Sequence, residues 1–246
     1  MVAPRLAVIP ARGGSKRIPY KNRVDFRGRP IIQWTIDAAL ESGLFEQVLV
    51  FTDDPVIADI ATAAGAQAPF LRAAFVDDHS PVSLATCAAV ERAEDFWNTT
   101  YGTVVQLMPN CPLRTAADII ASVARFDEEG RSFQISACRF GWMNPWWAAR
   151  LGDDGQPDFL FPEARLERSQ DLPPLFFPTG AVWVAERDAL LSSQSFYGPD
   201  FTFEELPWTA GVDIDDEADL EFALAVGGMF DCGPGRDDSV LDRGPE

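Results

Sequence analysis

Lysine is almost missing from this sequence: Lys16 and Lys21 are the only two, and His79 is the only histidine. Positive charge is scarce overall, with 20 Lys and Arg against 38 Asp and Glu and a formal net charge of -18. Such a balance repels nucleic acid and anionic membrane surfaces, so neither is expected as a partner. No apolar run approaches the eighteen or so residues a membrane helix needs. The opening MVAPRLAVIPAR is too short in its apolar part and too soon charged for a signal peptide, which points to the cytoplasm. Cys87, Cys111, Cys138 and Cys232 are widely spaced, without a CxxC or Cys/His cluster, so neither a zinc site nor a disulfide framework is expected. His79 sits in a polar turn, DDHSP, which explains it without a catalytic duty.

What is present is an alternation. RLAVIP (Arg5 to Pro10) reads as a short buried strand, followed by a Gly-rich loop and a helix from Pro30 to Glu41 closed by Gly43. Gln47 to Asp53, Gly102 to Met108 and Phe133 to Phe140 read as further strands. DPVIADIATAAGA, VSLATCAAVERAEDFW and TAADIIASVARFDEEG, the last with Thr115 as N-cap, read as helices between them. This order predicts an α/β fold with a Rossmann-like, doubly wound, mostly parallel sheet. From Gly141 to Pro178 the pattern breaks into a Trp-, Pro- and Phe-rich stretch, expected to be a packed lid or an arm docking on a second subunit. GAVWVA and a helix EADLEFALAVGG complete a single domain over 1–230, and the polar tail 231–246 is expected to be disordered.

An acidic protein that holds a polyanion must concentrate its positive charge, and this one does so after the first strand. Arg12, Lys16, Arg17, Lys21, Arg23, Arg27 and Arg29 fall within one stretch, in which ARGGSKRIPYKN occupies the C-terminal edge of the sheet where open α/β folds bind ligands. Gly13 and Gly14 let backbone amides approach phosphate, and both lysines of the chain are spent here as compact point charges. The spacing is neither a Walker A loop nor a GxGxxG turn. A second signal is GVDIDDEADL, in which Asp213 and Asp215 share a face of an extended chain. Two carboxylates so placed either hold a hard cation such as magnesium or form a solvated acidic turn beside an Asp216 helix cap. If they repel one another, Asn at either position leaves metal-free stability unchanged or raised.

Together, ARGGSKRIPYKN, TDD (Thr52 to Asp54), PLRTAADI (Pro112 to Ile119), RSQDLP (Arg168 to Pro173) and VDIDDEADL resemble the acylneuraminate cytidylyltransferase family, in order over nearly the whole folded chain. The resemblance implies a nucleotidyltransferase fold, a homodimer with an exchanged arm, CTP and magnesium. It places nucleotide binding on Ala11, Arg12, Gly13, Gly14, Ser15, Lys16, Lys21, Asn22, Arg72 and Ser83, with Arg12, Lys16 and Lys21 also stabilising the reacting phosphates. It places magnesium on Asp213 and Asp215.

The acceptor half departs from that pattern. MPNCPLR stands where these relatives read QPTSPLR, so Met108 replaces a sugar-contacting glutamine, and Trp147, Ser169 and Phe177 replace basic residues around the acceptor carboxylate. RSQDLP and CRFGWMNP are more similar to the pseudaminic acid branch, with Arg168 and Gln170 as acceptor contacts. The reading is CMP transfer from CTP to a nonulosonic acid of sialic, pseudaminic or legionaminic type. The alternatives are the same transfer to a smaller acid such as a phosphonate, met by Arg139, Arg150 or Arg168, or a nucleotide-binding scaffold without turnover.

Overall fold

A computed structural model describes residues 3–73 and 80–229. His79, Cys232 and the tail 231–246 lie outside the described residues. Among the described residues ten strands occur: β1 Arg5–Pro10, β2 Asp25–Phe26, β3 Arg29–Pro30, β4 Gln47–Phe51, β5 Thr103–Gln106, β6 Phe133–Arg139, β7 Ala149–Leu151, β8 Pro157–Phe159, β9 Phe176–Glu186 and β10 Thr202–Glu205. The helices are α1 Ile31–Glu41, α2 Pro55–Ala63, α3 Val82–Trp97, α4 Ala116–Glu129, α5 Arg187–Ser193 and α6 Glu217–Met229. Six strands form one sheet in the order β10-β6-β9-β5-β1-β4, while β2 and β3, and β7 and β8, pair as small hairpins. β1 pairs in parallel with β4 and β5, and β10 with β6, whereas β9 runs antiparallel to both neighbours. The expected mostly parallel sheet is present, with one reversed strand at its centre. No described helix is long and apolar enough to cross a membrane.

Helices cover both faces because successive strand residues point opposite ways. Ala7 and Ile9 pack with Ile36, Ile57 and Ile119 on one face; Leu6 and Val8 pack with Val90 and Leu190 on the other. The expected helix starts are in place: Asp54 accepts from the Val56 amide at 2.8 Å, and Thr115 forms a reciprocal capping box with Asp118. β4 stops at Phe51 because the Thr52 hydroxyl turns back to accept the Asp54 amide at 3.0 Å. A third, smaller core sets up the functional edge: Ile18, Phe26, Ile31, Val212, Ile214 and Val226 pack together away from the main sheet. Burying Ile18 and Ile214 contributes roughly 1.5–3 kcal/mol each. It also fixes the basic loop against the acidic segment, almost 200 residues away in sequence by the Lys21 to Asp215 separation of 194.

The aromatic stretch is not structureless. The β7–β8 hairpin and short 3-10 turns organise it; Trp146 meets Phe161 edge to face, with ring centroids 4.8 Å apart, and donates to the Pro173 carbonyl, and Trp147 donates to the Ala164 carbonyl. Trp142, Met143, Leu151 and Leu166 nevertheless stay exposed.

Candidate active site

β1, β4 and β5 all end at one edge of the sheet, and the loops leaving them enclose a cleft of about 510 Å³. Among the described residues its walls carry Arg12, Lys16, Arg17, Lys21 and Arg72, with Asp215 as the carboxylate that lines it. Within a chain of net charge -18, this is a local cationic trap sized for a nucleotide.

The basic loop is anchored from beneath. The Ala11 amide donates to the Phe51 carbonyl at 3.1 Å, and the Gly13 amide to the Asp53 carboxylate at 2.9 Å. A Cβ on Gly13 would stand 2.8 Å from the Asp54 Cβ, whereas one on Gly14 would meet nothing within 4 Å. Gly13 thus serves the close approach of the basic loop to the start of α2, whereas a side chain at Gly14 meets no neighbour. Gly13→Ala is expected to displace the loop and lower CTP turnover by up to about 10²-fold, with Gly14→Ala much milder. Steady-state kinetics on the two variants check the contrast.

Lys21 donates to the Ile214 carbonyl at 2.7 Å and to Asp215 at 2.9 Å, and Arg17 reaches the other Asp215 oxygen at 2.7 Å. Burial raises the Asp215 pKa, but the hydrogen bonds and charges of Lys21 and Arg17 outweigh it and hold the group below the usual range. Asp213 differs. Its carboxylate accepts from the Asn110 amide nitrogen and makes no ion pair among the described residues. Surrounding protein, then the charge of Asp215, push it up to about 6. A carboxylate without an ion pair among the described residues, beside one held ionised, offers hard oxygen ligands that fit a divalent cation of the magnesium type. Among the described residues no group of three or more His, Cys, Asp and Glu gathers for a metal. The Asp216 helix cap of the acidic-turn alternative is present: Asp216 accepts from the Asp219 amide at 3.0 Å and Asp219 accepts from the Asp215 and Asp216 amides, so the cap does not depend on the Asp213 or Asp215 side chains.

The structure therefore brings Arg12, Ser15, Lys16, Lys21, Asn22, Arg72 and Asp215 to one cleft. Ala11 is fully buried behind it. Ser83 is not at the cleft: α3 presents Val82 and Ala85, and the Ser83 hydroxyl, about 100° further round the helix, instead accepts from the Phe196 amide at 3.5 Å. Arg168 and Gln170 also stay off it, on the arm, where the Arg168 side chain is 75% exposed and faces Asp171 at 3.9 Å. Asparagine at 110 was not singled out by the sequence, because its partner Asp213 is 103 residues away.

The sequence profile of a cytidylyltransferase family matches residues 6–137. The chain is 34% identical over 220 residues to a pseudaminic acid cytidylyltransferase of Campylobacter jejuni, covering 89% of this chain and 94% of that protein. It is 32% identical to a CMP-N,N'-diacetyllegionaminic acid synthase of Legionella pneumophila, covering 78% and 82%. Among solved structures, a CMP:2-keto-3-deoxy-manno-octonic acid synthetase complexed with CTP superposes with a TM-score of 0.68 at 17% identity, over 92% of this chain and 99% of that one.

Proposed function

The chain belongs to the cytidylyltransferase family, and from that premise we propose that it moves CMP from CTP onto the hydroxyl of a nonulosonic acid, releasing pyrophosphate. The observation that carries the reading is the convergence of the basic loop and the acidic segment on one cleft, joined by Lys21 and Asp215. In this reading Arg12, Lys16 and Lys21 bind the triphosphate, and Arg72 lies toward the base. The acceptor hydroxyl gives up its proton to solvent as its oxygen attacks the α-phosphorus, a P–O bond forms as the bond to the β-phosphate breaks, and pyrophosphate departs under the charge of the basic loop. Asp213 and Asp215 would hold magnesium, which supplies Lewis-acid stabilisation of phosphoryl oxygens. Met108 and Pro109 give the cleft an apolar wall, and the similarity to proteins named for pseudaminic and legionaminic acids favours acids of that type over N-acetylneuraminate. Calorimetry with the four ribonucleoside triphosphates tests the nucleotide: CTP binds most tightly, and equal binding of all four contradicts the assignment.

The acceptor contacts assigned to Arg168 and Gln170 are reconciled with their distance from this chain's cleft if the arm serves a second subunit. The exposed Trp142, Met143, Leu151 and Leu166 support that arrangement, since four large apolar side chains left in solvent along one arm favour burial against a partner. Light scattering is expected to give a dimer of 27.0 kDa chains, with a fully active monomer as the contrary result.

A further inference from the structure

We infer that Asn110 is a positioning residue for the cation pair, fixing the Asp213 carboxylate through its side-chain amide. The inference rests on the assignment of a divalent cation to Asp213 and Asp215. Asn110 follows β5 in the loop that lines the cleft and is only 5% exposed. Its Nδ2 donates to Asp213 and, at 3.4 Å, to the Ile214 carbonyl, while its main-chain carbonyl accepts from the Ile214 amide at 2.9 Å. One residue thus ties the end of a sheet strand to both sides of the acidic segment. Asp215 has Lys21 and Arg17 to hold its rotamer. Asp213 has Asn110 alone among the described side chains. The Asn110 Oδ1 is buried without a hydrogen-bond partner, an arrangement that is costly unless something brought into the cleft donates to it or coordinates it. A neutral amide suits this place: it orients a carboxylate without neutralising the charge that a cation needs. Partners of metal-ligating groups typically change metal affinity by about 10–100-fold when removed.

The test uses Mn2+ alone, titrated by electron paramagnetic resonance into the full chain without nucleotide, for the wild type, Asn110→Ala and Asp213→Asn. Asn110→Ala is expected to weaken Mn2+ binding by about 10–100-fold, and in turnover to raise the magnesium requirement while leaving the KM for CTP at saturating metal unchanged. The backbone bond between Ile214 and Asn110 survives the substitution, so the loop keeps its attachment. Should Asn110→Ala not fold, Asn110→Ser, whose hydroxyl is too short to replace the amide, is titrated in its place with the same expectation. Unchanged Mn2+ affinity in the Asn110 variant, with Asp213→Asn strongly weakened, reduces Asn110 to a structural bridge and overturns the inference. Unchanged affinity in both variants removes the metal assignment itself.

Discussion

Turnover of CTP by Lys21→Ala is expected to fall by about 10²-fold or more, the usual scale for removing a preorganised charge from a reacting phosphate. Lys21 is a largely enclosed cation of the basic loop, with a side chain 15% exposed, held by the Ile214 carbonyl and Asp215. Its loss is expected to cost roughly 1–3 kcal/mol of stability as well, since a charged donor leaves a partly buried acceptor. Lys21→Arg separates the two effects. A guanidinium keeps the charge against Asp215 and most of the stability, but its planar fork does not reproduce a compact ammonium, so turnover recovers only in part. Turnover within twofold of wild type in folded Lys21→Ala would confine Lys21 to holding the acidic segment.

Asp213→Asn and Asp215→Asn are both expected to reduce turnover by about 10³-fold, as the several kcal/mol of Lewis-acid stabilisation are lost. Their metal-free stabilities diverge, contrary to the sequence-based expectation that neither falls. Asp215 is neutralised by Lys21 and Arg17, so Asp215→Asn breaks two ion pairs and lowers stability. Asp213 is raised to about 6 by its surroundings and by Asp215, so its ionised form opposes folding and Asp213→Asn raises stability near pH 7. The sign with pH follows. The penalty from Asp213 is fully present above pH 6 and disappears as pH falls toward the ordinary aspartate value of 3.8, so the gain from Asp213→Asn shrinks over that interval. For Asp215, held below 3.8, the stabilisation is present above that value and is lost only in more acidic solution. Thermal melts of both variants between pH 4 and 8, with and without magnesium, check these signs; a parallel loss of stability in both at neutral pH would contradict the asymmetry.

Much of the site could be read from the sequence because its parts are local. The pairing of Gly13 and Gly14 with two lone lysines, and the spacing of Asp213 and Asp215 around an inward Ile214, are patterns of a few residues. The helix starts at Asp54 and Thr115 were legible for the same reason. What escaped depends on distant pairing. β9 reads as a buried strand, but its reversal is set by its neighbours β5 and β6. β10, only Thr202 to Glu205, is a strand because β6 offers it an edge. Ser83 turns to Phe196, one step of helical phase from the cleft-lining Val82, and Asn110 acquires its partner only when β5 and the acidic segment meet.

The most direct test of the account is pyrophosphate release from CTP with magnesium and a panel of acids, including pseudaminic, legionaminic and N-acetylneuraminic acids and a small phosphonate, with the CMP product weighed by mass spectrometry. The account predicts acceptor-dependent pyrophosphate and a CMP conjugate with a nonulosonic acid, fastest with those of pseudaminic or legionaminic type. Pyrophosphate formed only with the phosphonate, or with none of the acids while CTP still binds, would contradict it.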